Sequence, residues 1–179
     1  MKIFLQALRL LFALTLLTGV LYPLAVWATG RLAFREAAEG SLVSRDGHVI
    51  GSALLAQKFT SDRYVWSRPS AGDYAIVASG ASNLAWTSAK LHDRLATAPS
   101  EIPADFATTS GSGLDPHLSP EAVHIQLPRV ATARHLDAAA RAHLDELVAR
   151  HTEGGQFTPQ RVNILLLNLA IDAAFPPAS

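Results

Sequence analysis

Hydrophobic residues form one long run near the start of the chain and alternate with polar residues after it. Residues 10–30 carry no charge, and as a helix this run would extend about 30 Å, the thickness of the hydrocarbon core of a bilayer. Arg9 and Arg31 flank the run, and Tyr22 and Trp27 lie toward its far end, where interfacial aromatic residues are expected. The pattern predicts one transmembrane helix over residues 10–30.

Small residues within the predicted span indicate that it packs against another membrane helix. Thr15, Thr18 and Gly19 form a patch that would allow a second helix to approach closely. Pro23 would ordinarily kink a helix, which a membrane span tolerates where neighbouring groups satisfy the freed carbonyl. The candidate helix-interface residues are therefore Thr15, Thr18, Gly19, Tyr22 and Pro23.

The same N-terminus also has features of a signal peptide. Lys2 and Arg9 are typical of its charged start, and residues 26–28 resemble a small-residue cleavage site. The apolar run is longer than most signal cores and Trp27 is bulky, so a retained anchor is favoured; an exported soluble binding protein or hydrolase released by cleavage is the alternative. A short basic head tends to stay in the cytoplasm, which would place the rest of the chain in the periplasm.

The boundaries of charge and hydropathy predict four regions. A short basic head (1–9) precedes the span (10–30), and a polar linker (31–47) follows it. Residues 48–179 are enough for one extramembrane domain with a hydrophobic core of its own.

Periodic apolar positions predict helices in this domain. Apolar residues from Leu136 to Val148 fall on one face, Asp137 can cap the start of that helix, and Gly154 lies just beyond its end. A shorter helical pattern covers residues 88–98. Both segments predict amphipathic helices that pack one face on the core.

Residues 163–174 are apolar nearly all round, which is compatible with a buried helix or a buried strand. Asn168 and Asp172 are four residues apart and would share one polar stripe on a helix, and Asn163 can cap its start. We therefore predict a helix.

Two runs rich in β-branched and aromatic residues, 48–59 and 63–69, lie near turn residues and predict strands. With the helices, they indicate an α+β fold: one N-terminal transmembrane helix and a single mixed domain.

Composition and missing motifs exclude several classes of function. Fifteen basic and fifteen acidic residues give no basic footprint for nucleic acid, and the lack of cysteine excludes disulfides and thiolate metal sites. The chain has no phosphate-binding GxxxxGK[ST] loop, no DKTGT phosphorylation sequence and no TVGYG-like filter. One span cannot enclose a pore, so a role in transport would require larger partners.

The stretch 108–122, TTSGSGLDPHLSPEA, contains the residue types of a hydrolase triad in Ser112, Asp115 and His117. The glycines flank the serine directly, whereas a nucleophile elbow has them two positions away, and triad members usually come from separate elements. A metal site using Asp115 and His117 with His124 or Glu121 has no recognised spacing. We predict neither a catalytic residue nor a metal ligand here.

A structural role explains more of this stretch. Ser119 is a suitable N-cap, Pro120 fits the first helical position, and Gly111 and Gly113 permit positive φ in the preceding loop. The polar residues of this loop and of the segments 68–86 and 126–134 are candidates for contact with a partner. Arg68 could pair with a carboxylate, Pro128 should bend its segment, and Gln126, Arg129 and Arg134 are surface residues by default. The partner-contact candidates are Arg68, Ser70, Ser82, Asn83, Ser112, Asp115, His117, Arg129 and Arg134.

Taken in order, the motifs resemble the C subunit of the Kdp-type potassium-transporting ATPase. They are TGVLYPLAV, GSALLAQKF, RPSA, SGASNL, TTSGSGLDPHLSP, QLPRVATAR and RVNILLLNLAID, and they cover most of the chain. The family commonly has SGGSNLGP where this chain has SGASNLAW, so Ala81, Ala85 and Trp86 replace two glycines and a proline.

The resemblance implies a non-enzymatic subunit of a bacterial inner-membrane complex. Its implied partners are a channel-like potassium-translocating subunit and a P-type ATPase subunit, which would handle potassium and ATP, so no tightly bound cofactor is expected. The implied role is to support assembly and to act as a catalytic chaperone that raises the nucleotide affinity of the pump subunit. The implied nucleotide-contact residue is Gln126.

Overall fold

The structure is a computed structural model that describes residues 1–97 and 101–176. The chain divides into two compact units, Met1–Leu42 and Val43–Ser179. The first contains the predicted span, and the second, called the body below, contains the mixed α+β core.

The first unit is dominated by one long helix. It comprises α1 (Lys2–Leu16), a π-helical turn (Leu17–Leu21) and α2 (Tyr22–Ala33). Together, Lys2–Ala33 are long and apolar enough to cross a membrane, and the side chains of the apolar window are not buried inside the protein. The helix therefore includes the predicted span and extends beyond both of its ends.

The π-helical turn ends two residues before Pro23. Proline has no N–H to bond the carbonyl of Gly19 four residues earlier, and Tyr22 N–H bonds the carbonyl of Leu17 instead. Such a wide turn lets a helix continue through a residue that would otherwise interrupt its hydrogen bonds.

The residues of the predicted linker contain regular structure. The end of α2 and α3 (Arg35–Ala38) are followed by β1 (Leu42–Arg45), which pairs with β2 (His48–Ser52). Asp46 and Gly47 between these strands have φ of 52° and 78°. Two consecutive positive φ values are typical of the tight turn of a hairpin, for which an Asp-Gly pair is a strong sequence signal.

The body contains six further helices and a small three-stranded sheet among its described residues. The helices are α4 (Ala89–Thr97), α5 (Ala104–Ala107), α6 (Pro120–His124), α7 (Leu127–Ala133), α8 (Ala138–Arg150) and α9 (Ile164–Ala174). The sheet has the order β3 (His117–Leu118), β5 (Arg161–Asn163) and β4 (Thr152–Glu153), with antiparallel pairs in which Val162 lies opposite both Leu118 and Thr152. The predicted α+β class is confirmed.

Local capping residues set the starts of three helices as predicted. Ser119 accepts a hydrogen bond from Ala122 N–H, Asp137 from Ala140 N–H and Asn163 from Leu166 N–H. Each bond satisfies one of the amides left without a partner in the first turn of a helix. Gly154, with φ of 88°, follows the end of α8.

The core of the body lies between α6, α7, α8, α9 and β5. Its fully buried side chains include Leu118, Leu144, Val162, Leu167 and Ile171. Each such side chain contributes about 1.5–3 kcal/mol relative to an exposed one. Val65, in a segment without regular structure, is also 0% exposed and belongs to this core.

The strand predictions need correction. Only His48–Ser52 of the run 48–59 is a strand, since Gln57 Nε2 donates to the carbonyl of Ile50 and the chain turns after Ser52. The run 63–69 is not a strand, because side chains on and next to α7 and α9 bond the backbone of residues 63–66. The predicted helix 88–98 is confirmed as α4, except that residue 98 lies outside the described residues.

Candidate functional site

Residues 62–66 form a clamped segment, so named here because side chains on and next to α7 and α9 bond its backbone. Asn168 Oδ1 accepts from Val65 N–H and Asn168 Nδ2 donates to the Val65 carbonyl, both at 2.9 Å. Gln126 Oε1 accepts from Trp66 N–H at 2.9 Å, and Gln126 Nε2 donates to the Trp66 carbonyl at 3.3 Å. Each amide side chain thus provides one hydrogen-bond donor and one acceptor to the segment, as the backbone of a neighbouring strand would.

Two arginines bond the remaining carbonyls of the clamped segment. Arg129 donates to the carbonyls of Asp62 and Tyr64 at 3.0 and 3.1 Å. Arg134 Nε donates to the carbonyl of Arg63 at 2.7 Å. As a result, five consecutive residues are held against the helices without forming a strand.

Arg134 is the centre of a buried charge network. Its side chain is 1% exposed and forms a 2.7 Å ion pair with Asp172. The other oxygen of Asp172 accepts from Tyr64 Oη at 3.0 Å and from Arg45 at 3.3 Å. Burial raises the pKa of the Tyr64 phenol, and the hydrogen bond to Asp172 raises it further.

The prediction that Gln126, Arg129 and Arg134 are surface residues is wrong in two cases of the three. Gln126 is 4% and Arg134 8% exposed, and the Arg129 side chain retains 25% exposure. Their partners in the clamped segment are between 60 and 71 residues away in sequence, so no local pattern reveals these contacts. The polar pair Asn168 and Asp172 on an otherwise apolar helix was the one sequence feature quoted above that indicated buried polar contacts.

A shallow groove of about 360 Å³ opens beside Gln126. The Arg129 guanidinium lies over the Trp66 ring at 3.7 Å from its centroid, and burial lowers the pKa of this arginine. The groove is lined by Trp66, Glu101, Ile102, Phe106, Ile125, Gln126 and Arg129. The Gln126 amide is already occupied: besides the two bonds to Trp66, its oxygen accepts from Arg129 at 2.9 Å and its nitrogen donates to the Ala122 carbonyl at 3.0 Å.

A second polar region, called the loop platform below, consists of residues 68–80 and 109–117. Arg68 forms a 3.0 Å ion pair with Asp115, so the predicted carboxylate partner is present. Ser79 donates to the Ser112 carbonyl at 2.8 Å, and Tyr74 Oη donates to the Arg68 carbonyl at 2.7 Å. The bonds of Arg68 and Ser79 hold the two irregular loops to each other, and the Tyr74 bond lies within the first loop.

The triad residue types in this platform make loop contacts. Ser112 Oγ accepts from Leu114 N–H, and Asp115 Oδ1 accepts from His117 N–H while its other oxygen bonds Arg68. His117 Nδ1 is 3.7 Å from Asp115 Oδ1. Within residues 1–97 and 101–176, no group of three or more metal-ligating side chains is assembled. The geometry therefore serves to shape the loop.

The other predicted partner-contact residues lie on or next to this platform. Ser70 Oγ accepts from Tyr74 N–H at 2.9 Å. Asn83 is exposed with φ of 53°, and Ser82 before it is partly exposed. Gly113 adopts the predicted positive φ, at 70°, whereas Gly111 does not.

The predicted helix-interface residues lie on exposed faces of the long helix. Thr18 Oγ1 donates to the carbonyl of Leu14 at 2.7 Å, which satisfies its hydroxyl within the helix. Thr15 Cγ2 would lie 3.9 Å from a Cβ added at Gly19, so these two residues share one face. Tyr22 and Pro23 follow at the π-helical turn.

An apolar helix long enough to cross a membrane, followed by an α+β body, is the arrangement of a membrane-associated protein. Residues 4–173 match the model of the family described as KdpC, the c chain of the K+-transporting ATPase. The chain belongs to this family.

Named relatives agree along nearly the whole length. The potassium-transporting ATPase KdpC subunit of Pseudomonas aeruginosa is 47% identical over 174 residues, covering 92% of this chain and 93% of the relative. The KdpC subunits of Sorangium cellulosum and Rhodospirillum rubrum are each 48% identical over 185 residues, covering 94% and 96% of this chain and 96% of each relative.

Proposed function

We propose that this chain is a non-catalytic accessory subunit of an ATP-driven potassium uptake complex. The observation that carries the proposal is the identity of nearly one half, along more than nine-tenths of the chain, with proteins named potassium-transporting ATPase KdpC subunit. In this proposal the partners are a channel-like potassium-translocating subunit and a P-type ATPase subunit, and they handle potassium and ATP.

The geometry supports a role in holding and presenting surfaces. In the clamped segment and the loop platform, arginines, amides and carboxylates bond one another or the backbone. A long helix whose apolar window is unburied offers a second surface, for lipid and for other membrane helices.

The decisive experiment is co-production of this chain with the other subunits of its ATPase, followed by affinity purification through a tag on this chain. The proposal expects both large subunits to be recovered with it and potassium-stimulated ATP hydrolysis to fall when it is omitted. Recovery of the chain by itself, with unchanged hydrolysis in its absence, contradicts the proposal.

We further propose that the chain is a single-pass protein of the inner membrane with its body in the periplasm. The chain has no cysteine, so single cysteines report topology without background. Phe157 is 92% exposed, and Phe157→Cys should react with a membrane-impermeant maleimide in cells with a permeabilised outer membrane. Lys2→Cys is the control and should react only after the inner membrane is opened. The reverse pattern contradicts this orientation, and an N-terminus at residue 29 would identify cleavage.

The proposed chaperone role is to raise the affinity of the pump subunit for ATP. Gln126 is the candidate nucleotide contact. Direct contact with cytoplasmic ATP would require the body to lie on the cytoplasmic side, opposite to the orientation proposed above, and the amide to leave Trp66, Arg129 or Ala122. An indirect role, in which Gln126 fixes Trp66 and Arg129 at the groove, requires no such loss. The two roles differ in what a substitution does to stability and to the KM for ATP.

A further inference from the structure

Four glycines of the loop platform differ in what the fold requires of them. A Cβ at Gly72 would lie 2.5 Å from the Ala78 carbonyl oxygen, and one at Gly113 would lie 2.8 Å from that of Gly80. Gly113 also has φ of 70°, which disfavours other residues. By contrast, Gly80 and Gly111 have no positive φ, and none of the residues that the structure describes would lie within 4 Å of a Cβ added there. The fold of the chain therefore gives no reason for glycine at these two positions.

Gly111 lines a hollow of about 440 Å³ in the platform. Ser110 also lines it and is 3% exposed, yet its hydroxyl has no hydrogen-bond partner among the described residues. A buried hydroxyl without a partner costs free energy unless something else bonds it. From the absent side chain at Gly111 and the unpaired hydroxyl of Ser110, we infer that a group from outside the chain enters the hollow.

In the described part of the chain, the surroundings of the hollow offer no unpaired charge to an occupant. No charged residue occurs from residue 74 to residue 89, although 17% of the chain is charged. Asp115 lines the hollow, but its carboxylate is paired with Arg68 at 3.0 Å. A charged occupant would be desolvated without an opposite charge left to pair with it, so the hollow favours an uncharged one.

Exposed apolar side chains occur in the hollow and in the segment that leads to it. Leu54 lines the hollow and is 58% exposed, and Ile76 and Val77, three and two residues before the lining residue Ser79, are 68% and 103% exposed. A small molecule in the hollow would leave these side chains in water, whereas a protein segment laid across it would cover them. Apolar contact with few charges is typical of the centre of a protein interface. Anionic lipid would instead favour basic residues, which the stretch 74–89 lacks.

We propose that the hollow beside Gly111 is a docking site for an uncharged extramembrane loop of another subunit of the same complex. The backbone of that loop passes close over Gly111 and Gly80, a polar group of it bonds the Ser110 hydroxyl, and its apolar side chains cover Leu54, Ile76 and Val77. This inference rests on the proposed function, because it assumes that the chain is assembled with other subunits.

The test uses the full chain co-produced with the other subunits and purified through a tag on this chain. Gly111→Leu should lower recovery of the partner by about tenfold or more, since a side chain in the centre of an interface can cost over 1.4 kcal/mol. Its thermal unfolding as a free chain should match the unsubstituted protein. Ser110→Ala should also weaken recovery without destabilising the free chain, because it removes a hydroxyl that has no internal partner.

Two variants serve as controls. Ala142→Leu adds the same side chain at an exposed site of α8 and should leave recovery unchanged. Gly113→Ala should destabilise the free chain itself, since the fold requires glycine there. Full recovery with Gly111→Leu would overturn the docking site, whereas absence of partners from the unsubstituted chain would overturn the proposed function.

A cysteine at position 77 distinguishes the occupants. Val77→Cys should react with maleimide when the chain is alone in lipid vesicles and be protected in the complex, while Phe157→Cys reacts in both. Protection of Val77→Cys in the chain alone would overturn the proposal and assign the surface to lipid or to a second copy. Light scattering of the chain alone in detergent would separate these two alternatives.

Discussion

Asn168 on α9 and Val65 in the clamped segment exchange two hydrogen bonds of 2.9 Å, although 103 residues separate them in sequence. Both residues are buried, at 2% and 0% exposure. The pair satisfies one backbone donor and one acceptor in the core, as a neighbouring strand would. The clamped segment therefore depends on a side chain where a sheet would depend on backbone.

Replacing Asn168 with leucine should strongly destabilise the body. The change leaves the Val65 N–H and carbonyl buried without partners, which costs about 1–3 kcal/mol for each group. Urea unfolding of the full chain in detergent, followed by tryptophan fluorescence, measures the loss. Ala173→Ser, at an exposed position of the same helix, is the control and should change the free energy by no more than about 0.5 kcal/mol. Equal stability of the two variants would show that the pair is dispensable.

Breaking the buried ion pair should cost more than breaking an exposed one. Arg134→Met leaves Asp172 buried without its 2.7 Å partner, and removing one member of such a pair costs about 3–5 kcal/mol. Arg150→Met removes the arginine of the exposed pair with Glu146, in which the two side chains are 62% and 53% exposed, and should leave the free energy of unfolding nearly unchanged. Urea unfolding of both variants gives the comparison. Similar losses at the two sites would argue against a structural role for the Arg134 network.

Alkaline pH should weaken the body partly through Tyr64. Burial, helped by the hydrogen bond to Asp172, raises the pKa of its phenol above the ordinary 10.0. Because the pKa of the phenol is higher in the folded than in the unfolded protein, the protonated phenol contributes its full stabilisation of the folded state below pH 10.0. This contribution is lost as the pH rises through the pKa of the folded protein. Burial also raises the pKa of the Tyr74 phenol above 10.0.

Tyr64→Phe and Tyr74→Phe should therefore each reduce the alkaline loss of unfolding free energy, and the double variant should reduce it most. Urea unfolding at several values from about pH 9 to about pH 11 measures the slope. An unchanged slope in the double variant would exclude these phenols as its source.

Gln126→Glu separates the two roles proposed for Gln126. Glutamate keeps an acceptor for Trp66 N–H and Arg129 but loses the donors to the carbonyls of Trp66 and Ala122, so the free energy of unfolding should fall by about 1–3 kcal/mol. The indirect role predicts that Trp66→Leu, which removes the ring under Arg129, raises the KM for ATP of the assembled complex as Gln126→Glu does. An effect of Gln126→Glu on KM without loss of stability, and none from Trp66→Leu, would favour direct contact.

Local features of this protein could be predicted from sequence, and distant side-chain contacts could not. Ser119, Asp137 and Asn163 cap their helices through partners three residues away, so a short window contains the whole interaction. The clamped segment has β-branched and aromatic residues that favour a strand, but its hydrogen bonds go to Gln126 and Asn168. The β propensity of these residues predicts an extended backbone, but it does not identify the groups that form hydrogen bonds with that backbone.

In the candidate sites, too, local features were predictable from sequence and distant contacts were not. The motif around Ser112 indicated a shaped loop, and Gly113 has the predicted positive φ. Its attachment to Ser79 and Arg68 depends on residues 33 and 47 positions away. The unpaired hydroxyl of Ser110 is visible only once the fold has buried it.

The small-residue face of the long helix should be required for assembly. Gly19→Leu adds a bulky side chain beside Thr15, where only Thr15 Cγ2, at 3.9 Å, lies near an added Cβ. The isolated helix can therefore accept leucine, but a second helix packed against this face would be pushed away. We expect lower recovery of the other subunits with tagged Gly19→Leu at equal amounts of this chain in the membrane. Ala13→Leu, about 120° around the helix, is the matched control and should assemble normally. Equal recovery with both variants would mean that the helix contacts its neighbours through another face, or only lipid.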